Sequence, residues 1–151
     1  MTNRRIRRTR KGDFELRIPE HERELLRSLA PQVREVIGTD DPAAARLFPP
    51  AYRDDPEAAA EYRRLVGDQL MSAHLAALET LESTVDAARV GEEQLLAWMR
   101  ALNQVRLLLG AQLEITEDGD ERPGPDDPRA GAFAVYDYLT WLQDQAIAAL
   151  S

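Results

Sequence analysis

The sequence predicts a mainly α protein: a compact bundle of three to four long helices with a small antiparallel β element at its N-terminus. Apolar residues recur at steps of three and four in several long segments, which is the period of a helix with one buried face. Proline next to acidic residues marks two helix starts, at Pro19-Glu20 and at Asp55-Pro56-Glu57. Near the N-terminus the period changes to the two-residue alternation of a strand, in Phe14-Glu15-Leu16-Arg17-Ile18.

Taken in order, Ile6 and its neighbours form one strand, Lys11-Gly12-Asp13 a turn, and residues 14–18 the returning strand. Phe14, Leu16 and Ile18 then face the core, and Glu15 and Arg17 face water. Two strands alone are marginal and need helices against their apolar side. The first helix opens at Pro19, where a missing N–H costs little, with Glu20, Glu22 and Glu24 near its positive end. Leu25, Leu26, Leu29, Val33, Val36 and Ile37 make its buried stripe, Pro31 is expected to kink it or divide it after Ala30, and Gly38 to end it. Residues 39–55 form a connection anchored by Leu47, Phe48 and Tyr52. The second helix follows the Asp55 cap to about Thr84, with Tyr62, Leu65, Val66, Leu70, Ala73, Ala77 and Leu81 inward.

Residues 88–90, ahead of the acidic start at Glu92-Glu93, echo Leu16-Arg17-Ile18 and suggest an added strand. The third helix, about Glu92 to Leu109, puts Leu95, Met99, Leu102, Val105, Arg106 and Leu109 on one face, and Gly110 supplies a left-handed stop. Residues 116–131 are a loop rich in Asp, Gly and Pro. The last helix, about Ala132 to Leu150, turns Val135, Tyr138, Leu139, Leu142, Ala146 and Leu150 inward, while Phe133, Tyr136 and Trp141 sit on other faces.

At 44% hydrophobic and 30% charged residues, the chain reads as one folded domain, residues 4–150, and not as a disordered one. Its apolar runs fall far short of the roughly 20 residues of a membrane span. No apolar stretch follows the basic N-terminus as a secretory signal requires, so a cytoplasmic protein is expected. The absence of cysteine excludes disulfides, thiolate chemistry and cysteine-ligated metals. His21 and His74 lack ligand spacing, and the 116–131 loop lacks the closing glutamate of an EF-hand, so no metal or cofactor is expected. With no nucleophile–base pair and no glycine-rich phosphate loop, an enzyme is not expected either.

Three groups of residues are candidates for binding. Asn103 and Arg106, one turn apart, can meet Asp137 or Asp144 of the last helix; with Tyr136 they make either a recognition site or a buried lock that fixes helix register. Arg4, Arg5, Arg7, Arg8, Arg10 and Lys11 concentrate positive charge at the start of a chain whose net charge is −8. That cluster reads as a solvated edge strand, as a contact for an acidic partner or second subunit, or as a DNA contact without the basic recognition helix that usually accompanies one. The aromatics Trp98, Tyr136, Tyr138 and Trp141 exceed what one core face takes, so those left exposed mark a protein interface.

Five blocks carry a resemblance. They are Phe14-Glu15-Leu16 with Glu22-Arg23-Glu24-Leu25-Leu26, Ala45-Arg46-Leu47-Phe48-Pro49, Ala51-Tyr52-Arg53-Asp54-Asp55-Pro56-Glu57-Ala58-Ala59, residues 98–107 with Gly110, and Val135-Tyr136-Asp137-Tyr138-Leu139-Thr140-Trp141-Leu142-Gln143-Asp144. In this order the chain resembles the actinobacterial domain-of-unknown-function family that includes the actinomycete oxidative-stress regulator, from about residue 4 to 150. The resemblance implies a small, cytoplasmic, non-enzymatic regulator that acts on transcription by binding a sigma factor or other transcription partner. The thiol-based sensing associated with that role has no residue to rest on here, which leaves methionines such as Met71 or Met99 as oxidisable side chains. Two alternatives stand beside it: a small-molecule-binding module linked to cysteine metabolism, lined by Asn103, Arg106 and Tyr136, and a self-associating subunit such as a homodimer.

Overall fold

The hairpin forms because Gly12 takes a positive φ of 92°, which side-chain-bearing residues rarely adopt. The Thr9 N–H donates to the Asp13 carbonyl at 2.9 Å and the Gly12 N–H to the Thr9 carbonyl at 3.1 Å. The computed structural model describes residues 4–37, 56–113 and 124–151, and for residues 37, 56–60 and 62–68 the backbone alone. Strand β1 (Ile6–Arg8) pairs antiparallel with β2 (Phe14–Leu16) in the register Ile6 to Leu16 and Arg8 to Phe14. A third strand, β3 (Arg89–Val90), pairs with the other edge of β2, as the echo at 88–90 suggests. Alternation sends Ile6, Phe14, Leu16 and Val90 to one side of the sheet, and all four are buried.

Four helices are present among the described residues: α1 (Glu20–Ile37), α2 (Pro56–Thr84), α3 (Glu92–Gln112) and α4 (Ala130–Leu150). Helix α3 packs most extensively on α4 and α2. Leu26, Leu78, Leu81, Leu95, Leu102, Leu139 and Leu142 are all but fully buried where these helices meet the sheet. Each contributes about 1.5–3 kcal/mol by leaving water.

Three expectations need correction. Helix α1 is not divided: it runs through Pro31. Pro31 is on the exposed side, and the loss of its bond to the Arg27 carbonyl, about 3 kcal/mol, is offset by Leu26, Ala30 and Val33 buried around it. Gly110 does not stop α3, which continues to Gln112 with Gly110 buried inside it. Here tertiary packing overrides a preference of about 1 kcal/mol against helical glycine. The buried face of α3 is also rotated from the expected stripe. It includes Trp98, Ala101, Gln104 and Leu108, while Met99, Arg106 and Leu109 are half-buried at its margin. The helix is covered by α2 on one side and α4 on the other, so its buried arc is wider than one stripe. Trp98 is therefore a core residue, fully buried, with its indole N–H donating to the Thr84 hydroxyl at 2.6 Å.

Arg23 ties the sheet to the helices. Its guanidinium donates to the carbonyls of Leu16, Ile18, Val85 and Ala87 at 2.5–3.0 Å, joining the end of β2, the start of α1 and the turn after α2. The expected Gly38 stop, the Asp55 cap, the connection anchored by Leu47, Phe48 and Tyr52, the side chains of Ile37, Tyr62, Leu65 and Val66, and residues 116–123 of the loop lie outside what is described.

Candidate functional site

Helix α4 carries polar side chains on two different flanks, and the residues singled out from sequence divide between them. On one flank, Arg106 of α3 meets Tyr136. Its Nη2 donates to Asn103 Oδ1 at 2.9 Å, its Nη1 reaches the Tyr136 hydroxyl at 3.5 Å, and the guanidinium carbon lies 5.9 Å from the Tyr136 ring centroid. The Arg106 Nε is buried and makes no hydrogen bond. Among the described residues no carboxylate comes within ion-pair distance of Arg106. Asp137 and Asp144 are exposed on α4, so the expected carboxylate partner is not supplied by either.

On the other flank Tyr138, Trp141 and Gln145 face the N-terminal segment. Arg5 donates to Glu22 through Nε at 3.1 Å and Nη2 at 3.0 Å, and stacks over Trp141 at 5.1 Å. Tyr138 donates its hydroxyl to Glu22 Oε1 at 2.7 Å, and the Arg5 backbone N–H donates to Gln145 Oε1 at 3.0 Å. Burial pushes the Glu22 carboxyl up, but the hydrogen bonds from Arg5 and Tyr138 and the positive charge beside it outweigh that and hold it below its usual range. The bond to Glu22 raises Arg5, and burial, then the bond to Glu22, raises Tyr138. All of these interactions keep charges in place, and none generates a reactive group. Trp141 thus belongs to a different cluster from Asn103, Arg106 and Tyr136.

The basic cluster is also split. Arg5 is taken up by Glu22, and Arg8 donates to the last carbonyls of α4, at Ala149 and Leu150 (3.2 and 3.1 Å), where the helix dipole favours a cation. Arg4, Arg7, Arg10 and Lys11 are exposed. Sequence reasoning turned Tyr138 inward but missed its partner Glu22, and it missed Gln145, Arg23 and Gln104 as interior polar groups. Only the helical spacing of Tyr138 and Gln145, which share a flank, could have hinted at them. Among the described residues no three His, Asp or Glu side chains gather as metal ligands would, and no helix is long and apolar enough to cross a membrane.

These features define a mainly helical protein, closed at one end by a three-stranded sheet, with one polar cluster that fastens the N-terminal segment and a second around an arginine that has no carboxylate partner among the described residues. The chain belongs to the family described as Domain of unknown function (DUF2017), whose sequence model matches residues 3–150. It is 34% identical over 128 residues to the oxidative stress regulator AosR of Mycobacterium tuberculosis (strain ATCC 25618 / H37Rv) and to that of Mycobacterium bovis, covering 73% of this chain and 58% of each regulator. A Mycobacterium leprae relative is 33% identical over 138 residues, covering 74% of this chain and 59% of its own length. The chain therefore spans less than two thirds of the curated relatives it matches. No solved structure matches it.

Proposed function

We propose that this chain is a regulator in the response to oxidative stress, and that it acts without catalysis by binding a protein of the transcription machinery such as a sigma factor. The observation that carries this reading is its similarity, over most of its length, to proteins named oxidative stress regulator. The side-chain chemistry supports it as well. Glu22, Arg5, Tyr138 and Arg23 are paired to one another or to backbone carbonyls, and Arg106, which has no carboxylate among the described residues, is placed to receive one. With no cysteine in the chain, the oxidant signal reaches it through its partner or by another chemistry than thiol oxidation.

The test is sedimentation of the purified chain with actinobacterial RNA polymerase core, and with core carrying individual sigma factors. A stoichiometric complex with one of these is the expected result. Failure to bind any of them at micromolar concentration overturns the reading.

A further inference from the structure

Outside the core, three large hydrophobic side chains are exposed among the described residues, and two of them, Leu96 (51%) and Ile147 (45%), lie on α3 and α4. Leu96, Asn103 and Arg106 recur at helical spacing on one flank of α3, and Tyr136, Gln143 and Ile147 on one flank of α4. The contact between Arg106 and Tyr136 sets these flanks side by side.

The two helices run antiparallel. Arg8 of β1 binds the carbonyls at the end of α4, and the same sheet leads through β3 into the start of α3. Leu96 and Ile147 therefore share the sheet end of the strip. Arg106 and Tyr136 stand ten or eleven positions away along the helices, about 15 Å at roughly 1.5 Å per residue.

Arg106 differs from the other half-buried arginines. Arg5 and Arg27 are each paired with carboxylates, and Arg23 is surrounded by carbonyls. Among the described residues Arg106 has one amide oxygen and one distant phenol for its five N–H groups. A half-buried guanidinium without a carboxylate is suited to an acidic group brought from outside, which it can hold through two parallel bonds.

We propose that this strip seats a helix of a partner protein, one that brings a carboxylate to Arg106 and, about three turns away, apolar side chains to Leu96 and Ile147. The proposal rests on the partner-binding reading above and names the surface and the chemistry of the partner. The six side chains that mark the strip include no acid, although Glu92, one turn before Leu96 on α3, is exposed; a second copy is therefore the occupant that sedimentation must separate from a partner helix.

The probe is a stapled amphipathic peptide helix with two leucines and, about three turns along the same face, one glutamate. It is titrated into the isotope-labelled full chain and followed by backbone amide shifts. Shifts confined to residues 96–106 and 136–147 are expected. Binding should weaken about tenfold or more for the glutamate-to-glutamine peptide and for Arg106→Met, and should be lost in the double variant Leu96→Asp/Ile147→Asp, whose positions are exposed. Arg7→Met, at an exposed position on β1, should leave it unchanged.

No shifts, shifts elsewhere, or equal binding of the glutamine peptide overturns the proposal. So does a wild-type dimer in sedimentation that the double variant breaks, since the occupant is then a second copy. If a transcription protein binds the wild type and the strip variants alike, the strip is wrong while the partner-binding reading stands. If the peptide binds but no transcription protein does, the reverse holds.

Discussion

The Arg5 guanidinium and the Glu22 carboxylate meet through two nitrogens, at 3.1 and 3.0 Å, and Tyr138 donates to the same carboxylate from 116 positions further along the chain. The three side chains fasten the segment before β1 to the first turn of α1 and to the middle of α4. A carboxylate that accepts bonds from two elements cannot lose its charge without loosening both.

That arrangement fixes the sign of the acid response. Glu22 is held below its ordinary value of 4.5, so its contribution is fully present above that pH and is lost as pH falls through the lower folded-state value. Thermal melts of wild type and Glu22→Gln should differ by about 2–3 kcal/mol near neutrality and converge in acid. Tyr138 is raised above its ordinary value of 10.0, so its contribution holds below that pH and is lost as pH rises past it. Tyr138→Phe should remove that part of the alkaline loss of stability. Parallel pH profiles for wild type and both variants would contradict this account.

The contrast between legible and illegible parts of the fold follows from range. The hairpin could be read because its alternation and its turn glycine are neighbours in sequence, and the start of α2 because Pro56 carries its own backbone geometry. The Arg5–Glu22–Tyr138 cluster could not, because no local rule links residues so far apart; Glu20, Glu22 and Glu24 look alike until folding buries one of them. The face of α3 was misjudged for the same reason, since two neighbouring helices, not one, decide which side chains are covered. For the candidate site, sequence brought together Asn103, Arg106 and Tyr136. It could not separate Trp141 from them, because that required knowing which flank of α4 faces β1.

Arg23 should be among the side chains most costly to remove. Its guanidinium satisfies four carbonyls from two segments, the end of β2 and the turn after α2, and Arg23→Met leaves these acceptors without the donor that joins them to α1. A loss of about 2–4 kcal/mol is expected in urea unfolding. A change below about 0.5 kcal/mol would show that water replaces the guanidinium at no cost.

The Trp98–Thr84 bond offers a conservative test. Thr84 accepts from the buried indole and donates to the Thr80 carbonyl, both at 2.6 Å. Thr84→Val keeps the shape and removes both roles, and it should cost about 1–3 kcal/mol. Trp98→Phe, which removes donor and ring volume together, should cost at least as much. A neutral Thr84→Val would contradict the pairing.

Gln104 should respond in the opposite direction. It is 1% exposed, and neither its amide nitrogen nor its oxygen makes a hydrogen bond among the described residues. Gln104→Leu should therefore be neutral or stabilising by about 1 kcal/mol, because no partner is lost and a desolvated amide is removed. Marked destabilisation would mean that the amide has a partner in solution.

The central claim, that the chain works by binding a protein through the α3–α4 strip and not through its basic N-terminus, is tested most directly by hydrogen exchange. Backbone amide exchange of the full chain is compared alone and with purified RNA polymerase carrying its sigma factor. Added protection is expected over residues 96–106 and 136–147, with residues 4–11 unchanged. Protection of residues 4–11 alone, or none anywhere, would contradict it.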